Sequence, residues 1–126
     1  MMIAAILESG RPERLYTGLS LLVSAAADGR PARGLASFGA LGPLLDDELL
    51  ARVAETTELP GRDTFARSLV ELRATARELE GCRLWACAAA VELTEADAAA
   101  VAEHLEGVMS TPRFLREVAG ADLVVV

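Results

Sequence analysis

The chain contains no lysine, and all 12 of its basic side chains are arginine. That absence removes every mechanism that runs through a lysine Schiff base or a P-loop lysine. Cysteine is scarce, at 2 residues, and histidine is reduced to His104 alone. No C-x-x-C pair occurs, and a zinc site would have to be assembled largely from carboxylates, so no metal site is expected. The G-x-G-x-x-G and P-loop patterns are both missing. The first apolar run, Met2 to Leu7, has no basic segment before it and is far too short to span a bilayer, so it reads as a strand in a cytoplasmic chain.

What is present fits one globular domain over residues 1–126. Hydrophobic residues make up 52% of the chain, enough for a packed core without disulfides at this length. Acidic residues outnumber basic ones 19 to 12, giving a net charge of −7. That charge repels phosphate backbones and anionic lipid, so neither nucleic acid nor membrane is an expected partner. A basic protein surface is a compatible one.

The chain alternates strand and helix signals. Met2–Leu7 is a continuous apolar run closed by Glu8-Ser9-Gly10, and Pro12 suits the first turn of the helix that buries Leu15, Leu19, Leu22 and Ala26. Asp28-Gly29 stops that helix. Residues 33–38 read as a second strand, with Gly39, Gly42 and Pro43 as the loop after it. The segment LLDDELLARVAETT reads as an acidic helix with Asp46, Asp47 and Glu48 at its positive end. Asp63 is placed as the N-cap of a third helix carrying Phe65, Leu69, Leu72, Ala76 and Leu79. Residues 83–87 form the third strand, and Thr94 with Asp97 reads as a capping box for a helix burying Ala98, Val101 and Leu105. A short strand at 107–109, a helix opened by Thr111-Pro112 and a strand at 122–126 complete the order. Such alternation predicts a three-layer α/β/α fold around a mostly parallel sheet of about five strands.

Parallel sheets of this kind bind ligands beyond the carboxyl ends of their strands. Cys87 falls at that edge, whereas Cys82 starts the same strand and reads as packing. Five extended residues separate the two by about 16 Å, and a disulfide needs Cα atoms roughly 4.4 to 6.8 Å apart. Both thiols are therefore expected to be free. A thiol works only as its thiolate, and helix amides following Cys87 would favour that form. The structural alternative is a small buried residue among the alanines at 88–90. Ser9, Gly10 and Arg11 after the first strand, with Gly39 after the second, are candidate anion-site residues. Their simpler reading is an ordinary strand-to-helix turn. His104 lacks a spaced orienting group for a Cys-His pair with Cys87 and reads as a surface side chain. The acidic run from Asp46 to Glu58 reads as a solvated helix face.

The pieces IAAILESG, LYTGLSLLVSAAADGRPARGLASFG, RLWACAAAVELTEAD, LEGVMSTPRFLREV and ADLVVV, in that order, resemble the DsrE/DsrF-like sulfur-relay family, whose members include subunits of the Tus complex. The resemblance spans nearly the whole chain and turns on one aligned cysteine. It implies a homo-oligomer or hetero-oligomer with related subunits, no cofactor, and Cys87 as the residue that takes a persulfide sulfur from a donor protein and passes it to an acceptor. The family also contains subunits that serve only assembly, and the alternative reading of this chain is a non-catalytic oligomeric subunit or a small-ligand or anion-binding module of the same fold. A thiol peroxidase is the weakest reading, because no polar residues adjoin Cys87 in sequence to activate peroxide.

Overall fold

A computed structural model describes residues 1–126. Five parallel strands are arranged in the order β4-β3-β2-β1-β5, with β1 at Ile3–Leu7, β2 at Ala32–Ala36, β3 at Cys82–Cys87, β4 at Val108–Met109 and β5 at Asp122–Val125. Seven helices connect them: α1 at Pro12–Ala27, α2 at Phe38–Leu45, α3 at Leu49–Thr56, α4 at Arg62–Glu78, α5 at Ala88–Thr94, α6 at Ala98–His104 and α7 at Thr111–Glu117. Parallel neighbours need crossover segments, and each connection here supplies at least one helix.

Alternation along the strands sets the layers. Gly34 on β2 leaves room for Leu84 of β3 and Leu22 of α1, which places α1 on that face together with α4, its direct neighbour. Trp85 points the other way and meets Phe114 of α7 edge-on, with ring centroids 6.4 Å apart. The fold is thus three-layered, as the alternation of elements predicts. The 28 buried apolar residues form one cluster, so there is no second core. No helix is long and apolar enough to cross a membrane.

The largest departure from the sequence reading is at residues 38–45. Gly39, Gly42 and Pro43 do not form a loop; they lie in α2, and β2 ends earlier, at Ala36. Ala40, Leu41 and Leu44 are fully or almost fully buried. Burying three apolar side chains at helical spacing outweighs the helix-breaking tendency of one proline and two glycines. Gly39 serves a close approach instead. A Cβ on Gly10 would overlap the Gly39 carbonyl oxygen, and one on Gly39 would lie 2.7 Å from the Glu8 carbonyl oxygen. The two glycines let the start of α2 press on the turn after β1.

Other corrections concern helix ends. Asp46, Asp47 and Glu48 precede α3, which starts at Leu49, although Asp46 Oδ1 does accept from the Glu48 N–H at 2.9 Å. Gly61, not Asp63, is the N-cap of α4, and Asp63 sits in its first turn. Thr94 and Asp97 form no capping box. Thr94 ends the unforeseen helix α5, where its hydroxyl donates to the Ala90 carbonyl at 2.6 Å, and Asp97 caps α6 without a side-chain bond. A side chain that bonds back to its own helix is no longer available to cap the next one.

Candidate functional site

Cys87 is the last residue of β3 and the N-cap of α5. Its position at the carboxyl edge follows from the sequence pattern, but its surroundings follow from strand order. Ala36 of β2 is level with Ala86, so the next residue, Ser37, arrives beside Cys87. Met109 of β4 is level with Cys87 itself, which brings Ser110 and Thr111 to the other side. Thr111 Oγ1 lies 4.0 Å from Cys87 Sγ. The turn of α5 that begins with the alanines supplies backbone N–H groups from below.

These groups decide the ionisation of the thiol. Burial by itself pushes the Cys87 pKa up. The N–H groups of Ala90 and Ala89 and the hydroxyls of Thr111 and Ser37 pull it down, and their combined effect prevails, so the thiol lies below its ordinary value. Cys82 has the opposite fate: burial pushes it up to about 11, against a lowering influence from Arg33. Both cysteines are free, and the two residues are 3% and 2% exposed, so ionisation rather than exposure distinguishes them. Thr111, whose hydroxyl contacts the Cys87 sulfur, is itself an exposed residue.

The alanines therefore have a role that composition could not reveal. Having no polar side chains, they contribute through the backbone, as N–H donors at the start of a helix. Sequence reasoning missed Ser37 and Thr111 altogether. Hydroxyl residues within two positions after each neighbouring strand were the available signal, but it becomes legible only once β2 and β4 are known to flank β3. Replacing Thr111 by valine keeps the shape and deletes one hydroxyl. The expected result is a higher Cys87 pKa and several-fold slower alkylation near neutral pH, measured as the pH dependence of iodoacetamide labelling, with Ser37→Ala acting in the same direction.

The remaining candidates lie elsewhere or are otherwise engaged. Ser9 Oγ accepts from the Arg11 N–H at 3.2 Å, and the Arg11 guanidinium is 3.9 Å from Glu13. Gly10 and Gly39 touch each other through their backbones, as described above. His104 Nε2 is 3.2 Å from Asp47 Oδ1 and 3.9 Å from Glu103 Oε2, so its ring is occupied by carboxylates and is not paired with Cys87. The three possible ligand atoms of Asp47, Glu103 and His104 lie within 4.8 Å of one another, but both carboxylate residues are exposed. This is a small polar cluster in which only Asp47 is distant from His104 in sequence.

Fold and site together define a parallel α/β protein with an ionisable thiol at the carboxyl edge of its sheet. No protein-family profile matches the chain, and no curated protein is significantly similar to it.

Proposed function

We propose that the chain is a DsrE-like sulfur carrier whose Cys87 accepts and hands on a persulfide sulfur. The observation that carries this reading is the setting of Cys87, at the edge where such folds bind ligands and at the start of α5, with its sulfur 4.0 Å from the Thr111 hydroxyl; the Ala90 and Ala89 N–H groups and the Thr111 and Ser37 hydroxyls lower its pKa against burial. A thiol filling space in a core would be pushed up chiefly by burial, as Cys82 is. In the transfer step, the Cys87 thiolate attacks the outer sulfur of a donor persulfide, R–S–SH. A new S–S bond forms, the donor's S–S bond breaks, and R–S⁻ leaves, giving Cys87–S–SH, which ionises. An acceptor thiolate then attacks the same outer sulfur, and the Cys87 thiolate is the leaving group. No net oxidation occurs and no cofactor takes part. The donors that hold the Cys87 thiolate would also serve it as a leaving group.

Donor and acceptor are proteins bearing their own reactive thiols, and the working form is an oligomer. Leu115 of α7 and Leu123 and Val125 of β5 are 48%, 43% and 59% exposed. The two β5 residues are level with Ala4 and Ile6 of β1 and share their face of the sheet, which favours contact with another subunit there. The 3% exposure of Cys87 favours a second reading, a subunit of the same fold whose cysteine only packs.

One experiment separates the two. The protein is incubated with a small-molecule persulfide and its intact mass is measured. The carrier reading expects a one-sulfur adduct on the wild type and on Cys82→Ser, discharged by an added thiol. Absence of an adduct on both sinks it and leaves the packing reading.

A further inference from the structure

A cleft of about 440 Å³ lies among α1, α2, α3 and α4, away from Cys87 and its hydrogen-bond partners. Its volume falls within the range of about 300–1,000 Å³ common to small-molecule sites. Leu15, Leu49, Val53 and Leu69 form its walls, and their exposures of 1%, 2%, 3% and 0% show them fixed in the core. The polar side chains lining the cleft are Asp46, Arg52 and Thr56.

Asp46 and Arg52 form a direct ion pair, so this polar end carries no net charge. A charged ligand would have to compete with that pair. The two partners are not equivalent. The Asp46 side chain is 19% exposed, against 61% for Arg52, so the carboxylate is the more covered partner; its Oδ2 meets Arg52 and its Oδ1 accepts from the Glu48 N–H. Arg73 fixes the chain here by donating to the carbonyls of Pro43 at 3.0 Å and Asp46 at 2.7 Å. We propose that this cleft binds an uncharged, mainly apolar small molecule of one or two rings, bearing a hydroxyl that donates to the Asp46 carboxylate. The site is independent of the thiol reading.

The test uses 2-naphthol, followed by its own fluorescence during titration with the full chain. Gly42 lines the cleft, and a Cβ added there meets no atom within 4 Å. Gly42→Phe therefore adds a ring at the lining of the cleft with no clash at its Cβ. Gly61 is equally open but lies outside the cleft, so Gly61→Phe controls for an added surface aromatic. Saturable 1:1 binding to the wild type and Gly61→Phe is expected, with loss in Gly42→Phe. The methyl ether 2-methoxynaphthalene, which has no donor, should bind about tenfold or more weakly. No saturable binding of 2-naphthol, or binding unchanged by Gly42→Phe, overturns the site. Equal affinity for the methyl ether overturns the role given to Asp46.

Discussion

Cys87→Ser lowers the rate of persulfide adduct formation about tenfold or more, whereas Cys82→Ser leaves it at the wild-type level. The contrast is expected because the protein has two cysteines and their thiols are shifted in opposite directions. Cys82 is pushed up to about 11, and Cys87 lies below its ordinary value. An ordinary thiol titrates near about 8.5, so the two differ by more than about two pH units and their thiolate fractions near neutral pH by more than about a hundredfold. Part of that advantage is returned, because a less basic thiolate is a weaker nucleophile, with a Brønsted slope of about 0.4–0.5. A net preference of about tenfold or more survives for Cys87. Exposure does not reverse it, since both residues are nearly sealed. Competitive labelling with iodoacetamide at pH 7, read by peptide mass, measures the preference directly. Faster labelling at Cys82 would refute the electrostatic assignment.

Folding stability declines on the alkaline side, and Cys82→Ala removes most of that decline. In the unfolded chain the Cys82 thiol titrates near about 8.5, whereas in the folded protein burial holds its proton up to about 11. Between those values the unfolded state binds fewer protons than the folded one, so stability falls as pH rises. The contribution is fully present below the unfolded pKa and is lost as pH climbs through the folded one. A gap of about 2.5 units corresponds to about 3 kcal/mol, a large part of the roughly 5–15 kcal/mol by which domains are stable. Cys87 acts in the opposite sense. Its lowered pKa contributes stability above the unfolded value, and that contribution is lost as pH falls through the folded value. Urea midpoints measured from pH 7 to 11 should therefore drop above about 8.5 in the wild type. Cys82→Ala should be less stable at neutral pH, because it leaves a small cavity, yet much flatter with pH. An unchanged alkaline slope in that variant would show that another group carries the effect.

Sheet strands and the long helices are written locally. Continuous apolar runs such as Ile3–Leu7 and the spaced leucines of α1 report burial through periodicity, which requires no knowledge of neighbours. The same is true of Cys87 at the end of its strand and of Trp85 on the face opposite Leu84. The short helices were harder. In α2, glycine and proline announce a loop, yet Ala40, Leu41 and Leu44 find a core that holds them helical. In α5, three alanines carry almost no periodic signal of their own.

The sequence by itself determined the alternating order of elements, the parallel sheet, the free state of both thiols and the placement of Cys87 at the ligand edge. Tertiary structure alone decided that β2 and β4 flank β3, which brings Ser37 and Thr111 to the sulfur, where they join the Ala90 and Ala89 N–H groups in lowering the pKa of Cys87 while burial raises that of Cys82. It also decided that four helices enclose a cleft beside Asp46. Periodicity encodes which side of an element is buried, but which elements become neighbours depends on matching whole faces across the chain. A pKa depends on those neighbours.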